Sequence, residues 1–121
     1  MITIYDRKGF TALARVDAET LSGACLAGLD LKEANLIQID LRNADLSGAD
    51  LANADLRLAD LSGANLSRAN LAFADLSGAR LTGAVMRDAI VLGTRLFGTD
   101  IGAAADLSGV NLDSAQRAAG D

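Results

Sequence analysis

The side chains most capable of chemistry are the acidic ones, which recur at intervals that are multiples of five residues through the middle of the chain, as at Asp30, Asp40, Asp50 and Asp60. Clustered carboxylate oxygens are the ligands that calcium prefers, so these acids are candidates for a metal site. The glycine-rich pattern of calcium-binding repeats is absent, however. We therefore interpret the acids as a solvated row of charges, and we expect neither a bound metal nor a cofactor.

Other groups suited to catalysis are scarce. The chain has no histidine, which is the commonest near-neutral acid or base and a frequent metal ligand. Its one cysteine, Cys25, excludes an intramolecular disulfide, and no residue close in sequence supplies a base to form a thiolate. Partial exposure would make Cys25 oxidisable, but we interpret it as a neutral substitution. The sequence predicts a protein that is not an enzyme.

Length and charge narrow the function further. At 121 residues the chain is long enough for one domain. Its net charge of -5 disfavours direct binding to nucleic acid or to an anionic membrane, since both attract a basic face. Charged or polar residues interrupt every apolar run, and residues 1–8 lack the apolar stretch of a secretory signal. We expect a protein of a bacterial-type cytoplasm.

A five-residue repeat governs the apolar residues. A large apolar residue, here called the centre of its unit, recurs every five residues from Val16 onwards. A small residue, usually Ala, lies two positions before the centre, Asp or Asn often lies just before it, and Gly often lies two positions after it. The core is predicted to contain the centres Leu26, Leu31, Leu36, Leu41, Leu46, Leu51, Leu56, Leu61, Leu66, Leu71, Leu76, Leu81, Met86, Val91, Leu96 and Ile101.

Neither a helix nor a straight strand can place these centres on one face. A step of five residues rotates a helix by about 140° and so distributes the leucines around it. In a strand, an odd step sends successive centres to opposite faces. The spacing fits a chain that turns a corner in every unit, with centre and small residue inward. Four such sides close a coil, and successive coils would stack about 4.8 Å apart.

Runs such as residues 44–51, Ala-Asp-Leu-Ser-Gly-Ala-Asp-Leu, resemble the pentapeptide-repeat family. This resemblance covers about residues 14–114. It implies an all-β fold, a right-handed quadrilateral β-helix of about five coils. We expect residues 1–13 to form a capping hairpin or strand, with strands at 2–5 and 10–13. Residues 115–121 are expected to form a C-terminal tail or cap.

The resemblance also suggests functions. A regular, filled rod without a cleft is typical of a scaffold for protein–protein interaction, and the sequence does not identify the partner. Some members of the family resemble duplex DNA in size and negative charge, bind DNA gyrase and related topoisomerases, and protect them from inhibitors. That role is the alternative prediction. A calcium-binding or enzymatic role is the weakest of the three.

Departures from the repeat mark where a specific contact is expected. Outward positions become apolar late in the rod, and the candidate interface consists of Phe73, Val85, Ile90, Leu92 and Phe97. Exposed apolar patches often form interfaces, so a homodimer through the C-terminal end is predicted. Equally, the tail from Gln116 to Asp121 could cover Phe97. The repeat also slips by one residue after Ile101, which we attribute to a tolerated insertion at residues 102–104.

Overall fold

The computed structural model describes residues 1–117, so residues 118–121 of the predicted tail lie outside the described part. The chain begins with two antiparallel strands, β1 (Ile2–Tyr5) and β2 (Ala12–Val16). Two 3-10 helices follow much later, η1 (Ile101–Ala103) and η2 (Leu112–Ser114). Between β2 and η1 the chain has neither helices nor long strands, and isolated parallel bridges organise it.

The second strand of the hairpin lies further along the chain than we predicted. Phe10 is 87% exposed and belongs to the turn, where its backbone N–H donates to the Asp6 carboxylate at 2.9 Å. Val16, which the five-residue spacing places as a centre, instead pairs with Ile2 in the hairpin. The reason is local, because Asp6 also accepts from the N–H of Thr11 and thereby lengthens the turn.

Between Cys25 and Arg95 the parallel bridges join residues that are twenty positions apart, as in Cys25 with Asp45 and Asp45 with Asn65. Each turn of the chain therefore contains four five-residue units, and the stacked turns form a β-helix. We number them coil 1 (21–40), coil 2 (41–60), coil 3 (61–80), coil 4 (81–100) and coil 5 (101–117). Backbone bonds connect neighbouring coils, for example from the N–H of Leu46 to the carbonyl of Asn65 at 2.8 Å.

In coils 1 to 4, each unit turns its corner at the second residue after the centre, which adopts the left-handed backbone conformation. Gly48, with a φ of 67°, occupies this position without steric cost. Leu58 and Phe73 also occupy it, with φ values of 60° and 59°. A conformation so unusual for a large apolar residue is imposed by the coil, because the bonds to the adjacent coils fix the backbone on both sides.

The core is a column of centres with small residues between them. The centres from Leu26 to Leu96 are buried, whereas Ile101 lies in η1 and is only partly buried. Its unit ends the regular spacing, because the chain curls into η1 there. Two small positions hold threonines, and each buries its hydroxyl by donating to a carbonyl: Thr94 to Leu71 at 2.5 Å, and Thr99 to Leu76 at 2.7 Å.

Candidate interaction surface

The acidic column before the centres is part of the turn structure. The Asp45 carboxylate accepts a hydrogen bond from the N–H of Ser47 at 3.0 Å, and the Asn65 side chain accepts in the same way from Ser67 at 3.0 Å. The same bond recurs at Asp30, Asn35, Asp40, Asp50, Asp55, Asp60, Asn70, Asp75, Asp106 and Asn111. Asp and Asn interchange here because both present an acceptor oxygen. That interchange was the sequence signal for this role, which our sequence analysis missed.

Two carboxylates of this column are also held by an arginine of their own unit. Arg42 donates to Asp40 through Nε at 2.9 Å and through Nη2 at 2.8 Å. Arg57 binds Asp55 in the same forked manner, at 2.9 and 2.7 Å. The Arg42 hydrogen bond lowers the pKa of Asp40 to about 2, and Arg57 likewise lowers the pKa of Asp55. These acids are therefore partly neutralised and are not a free anionic surface.

Vertical neighbours in the column follow the predicted spacing. Asp30 bridges to Asp50 and Asp55 to Asp75, so like charges do stack in the lower coils. In coil 4 the charge in the column changes sign, because Arg95 lies above Asp75. Nη1 of Arg95 is 3.9 Å from the Asp75 carboxylate. Within residues 1–117, no group of three or more His, Cys, Asp or Glu side chains is placed to hold a metal ion.

Three exposed apolar residues lie together on one side of coils 3 and 4. Ile90 and Leu92 flank the buried centre Val91 and are 51% and 53% exposed. The Phe73 ring, from the corner of coil 3, lies against Gly93, where an added Cβ would be 2.5 Å from the ring. Its backbone N–H also donates to the carbonyl of Leu92. We call Phe73, Ile90 and Leu92 the apolar patch.

The other two candidate interface residues are placed differently. Val85 is half-buried on another side of coil 4, where it bridges to Asn65 below and Asp106 above. Phe97 is 40% exposed on the side that follows the patch. The structure therefore places three of the five candidate interface residues on one side of the rod. Exposed Ile37 and Leu58 lie on earlier coils, and the Leu58 side chain packs over Gly78 in the way that Phe73 packs over Gly93.

Uncharged residues continue the patch downwards on its own side of the rod. Below Ile90 and Leu92 on coil 3 lie Asn70 and Ala72, whereas the neighbouring sides of coil 4 carry Arg87 and Arg95. The patch is thus an apolar area with charges around it, on the adjoining sides and at Asp50 further down its own side, an arrangement common in protein interfaces. In the described part of the chain, no helix is both long and apolar enough to cross a membrane.

Comparison with known proteins agrees with this architecture. The family described as Pentapeptide repeats matches the sequence in eight copies, over residues 21–63 and 64–101. Among solved structures, the chain is similar to a pentapeptide repeat protein, Rfr23, from the cyanobacterium Cyanothece 51142. The two share 26% identity with a TM-score of 0.64, over 97% of this chain and 75% of that one.

A second similar structure is a pentapeptide repeat protein from the thylakoid lumen of Arabidopsis thaliana. It shares 32% identity over 80% of this chain, with a TM-score of 0.55. This chain spans only 63% of that protein, which is less than two thirds of its length. Comparison with curated proteins gave no match.

Proposed function

The chain belongs to the pentapeptide-repeat family, and on that premise we propose that it is a non-enzymatic scaffold that binds another protein through the apolar patch. The observation that carries this proposal is the exposure of Phe73, Ile90 and Leu92 together on one side of the rod, above the uncharged residues Asn70 and Ala72. Exposed apolar area at one place on an otherwise polar surface is what an interface requires.

The filled core supports the non-enzymatic part of the proposal. Catalysis needs a poised base, nucleophile or metal in a cleft. Here the centres and alanines fill the interior, and most of the acids before the centres are engaged in turns. Within residues 1–117, every buried side-chain polar atom has a hydrogen-bond partner.

We also propose the finer features of the family fold: right-handed winding, about five coils and a hairpin that caps the first coil. Contacts of the hairpin support the cap. The N–H of Asn35 donates to the carbonyl of Tyr5 at 2.8 Å, and the N–H of Arg7 donates to the carbonyl of Glu33 at 2.7 Å. Ile4 contributes to the core and is only 2% exposed. Covering an open end in this way protects its unpaired edge.

Affinity capture from an extract of the native cell tests the scaffold. We expect one dominant protein to be retained by the wild type and lost with Leu92→Asp, because a carboxylate in the patch would have to be desolvated on binding. Leu58→Asp is the matched control, since Leu58 is 57% exposed but lies outside the patch. A partner that binds both variants equally, or no partner at all, would count against the patch.

A second copy of the chain is one partner that this surface could bind, and a homodimer through the C-terminal end is our proposal for the oligomeric state. Light scattering would measure the mass of the wild type, of Leu92→Asp and of Phe97→Asp. A dimer that dissociates in either variant supports the proposal. A monomeric wild type excludes it.

The DNA-mimic alternative depends on rows of acidic side chains, and stacked pairs such as Asp40 with Asp60 favour it. The arginines on Asp40 and Asp55 weaken it, because they neutralise part of the charge that would imitate phosphate. A gyrase supercoiling assay separates the two functions. Inhibition by the protein, or protection of gyrase from a quinolone, would establish the alternative, and no effect at high excess would exclude it.

A further inference from the structure

Coil 5 is attached to the rod most completely on two opposite sides. On one side, the N–H of Met86 donates to the carbonyl of Asp106 at 2.8 Å. On the other, the N–H of Leu96 donates to the carbonyl of Gln116 at 2.9 Å. Both bonds have the geometry of the inner coils, so these two sides continue the β-helix.

Each of the remaining two sides keeps only part of the bonds that join the inner coils. The N–H of Gly83 donates to the carbonyl of Ala103 at 2.9 Å, and the N–H of Gly93 donates to the carbonyl of Ser114 at 2.7 Å, but in the described part of the chain the bond from the centre is missing on both sides. In coil 3 the N–H of Leu71 donates to the carbonyl of Ile90 at 2.8 Å. One coil later, the N–H of Val91 has no hydrogen-bond partner among residues 1–117, and neither does the carbonyl of Ala89. A depression of about 440 Å³ opens here, with Asn111 on its other side. Water must satisfy these backbone groups, since leaving them unpaired is costly.

The second gap lies where coil 5 begins. The N–H of Leu61 donates to the carbonyl of Arg80 at 2.8 Å, but the equivalent N–H of Leu81, one coil later, has no partner in the described part of the chain. The slip in the repeat is located at the same point, because Val85 bridges to Asp106 rather than to residue 105. Within the described residues, one bond between coils therefore joins residues 100–104 to coil 4, from the N–H of Gly83 to the carbonyl of Ala103.

The apolar residues of coil 5 are also less buried than those of coil 4. The coil 4 centres are at most 2% exposed. The corresponding residues of coil 5, Ile101, Leu107 and Leu112, are only partly buried. Since buried apolar area is the main stabilising contribution, coil 5 is held less firmly than the coils beneath it. Its strongest polar contact is the fork from Arg87 to Asp106, at 3.1 and 2.7 Å.

We propose that residues 101–117 form a lid, which opens from coil 4 as one unit while coils 2 and 3 stay folded. The segment at residues 100–104, which the bond from Gly83 to Ala103 joins to coil 4, is the hinge, and Arg87 with Asp106 is the latch. Opening uncovers the centres of coil 4 and the N–H groups of Met86, Gly93 and Leu96, all of which donate to lid carbonyls when it is closed. An edge of this kind can add another strand, so the closed lid protects the rod from association.

Amide hydrogen exchange measured by NMR tests the lid on the intact chain. We expect the amides of Met86, Gly93 and Leu96 to have protection factors at least about tenfold below those of their counterparts one coil earlier, and similar to one another. The counterparts are Leu66, Phe73 and Leu76, which donate to coil 4.

Three outcomes are distinguishable. Equal protection in the two sets would overturn the lid, because both would then open only on global unfolding. A gradient in which Leu96 and Gly93 exchange quickly and Met86 stays as protected as Leu66 would also overturn it, because that pattern is fraying from the C-terminal side. A common, lower protection of all three amides supports a single opening.

A latch variant gives an independent check. Asp106→Asn keeps an acceptor oxygen for the N–H of Ser108 but loses the charge that Arg87 binds. We expect Met86 exchange to become about two- to fivefold faster, the size expected for a largely exposed ion pair, with Leu66 unchanged. Asp45→Asn is the matched control, since Asp45 makes the same turn bond to Ser47. If Asp106→Asn leaves Met86 unchanged, Arg87 and Asp106 are not the latch.

Discussion

Coils 2 and 3 differ from coil 4 in their outer surface while sharing the same core. In coils 2 and 3, the residues before the centres are mostly Asp or Asn, and their side chains accept the turn hydrogen bond. For coil 4 the equivalent residues are Arg80, Val85, Ile90 and Arg95, none of which can accept it. The backbone bonds between coils 3 and 4 nevertheless persist, as from Leu71 to Ile90.

This difference shows that the apolar core and the backbone bonds between coils are sufficient to form a coil. The turn hydrogen bond from the residue before the centre is not required. Once the outward position is released from that bond, it can hold an apolar side chain. Ile90 uses this freedom and forms part of the apolar patch. The loss of regular turn chemistry therefore coincides with the gain of a candidate interface.

Substitutions in the core should have the largest effect on stability, and that effect should be similar in coils 3 and 4. Leu61→Ala in coil 3 and Leu81→Ala in coil 4 each remove a side chain that is at most 1% exposed. We expect each to lower the free energy of unfolding by about 2–5 kcal/mol, through lost burial and a new cavity. Urea denaturation measures this. A cost below about 1 kcal/mol in coil 4 alone would show that its core is not equivalent.

Substitution of a corner glycine should destabilise coil 4 more than coil 2. Gly48→Ala and Gly93→Ala both force a left-handed alanine, but only Gly93→Ala also displaces the Phe73 ring. We expect a loss of about 1–2 kcal/mol for Gly48→Ala and a larger loss for Gly93→Ala. Combining Gly93→Ala with Phe73→Ala should remove the excess. If thermal unfolding finds the two single variants equal, the ring is not packed on Gly93.

The turn bond can be removed from one region and supplied to the other. Asn65→Ala deletes the acceptor of the Ser67 N–H and should destabilise the chain by about 0.5–1.5 kcal/mol. Ile90→Asn places an acceptor before Val91 and should be neutral or stabilising by a few tenths of a kcal/mol, since the Ile90 side chain is half-exposed. Denaturant titration measures both. Strong destabilisation by Ile90→Asn would mean that Ile90 belongs to the core.

The smallest effect should be seen in the pH dependence of stability. The pKa of Asp40 is lowered to about 2 by Arg42, and the pKa of Asp106 is lowered to about 2 by Ser108 and Arg87. Because the folded-state pKa is lower, their contribution is complete above the unfolded value near 3.9 and disappears as the pH falls to about 2. Asp40→Asn should flatten the dependence of the unfolding temperature on pH between about 4 and 2. An unchanged slope would show that the Arg42 pair has no stabilising effect.

Much of the candidate site was visible in the sequence. Phe73, Ile90 and Leu92 were identified because their outward positions are mostly polar elsewhere, and the structure places Phe73 against Gly93, twenty residues further on. Their separation from Val85 was not predicted. A five-residue period shows that a residue faces outward, but the relation of one side of the coil to another depends on where each corner directs the chain.

By itself the sequence determined the period and the inward and outward positions, because only a chain that turns in every unit can place centres five residues apart on one core. The stacking partners followed from the four-sided coil that the family resemblance implies. Tertiary structure alone decided which polar groups pair. The forks from Arg42 and Arg57, the hydroxyl bonds of Thr94 and Thr99 and the gaps beside Val91 all depend on distances between groups that the repeat leaves equivalent. A hydrogen bond forms or fails within a few tenths of an ångström, a difference that a periodic pattern does not encode.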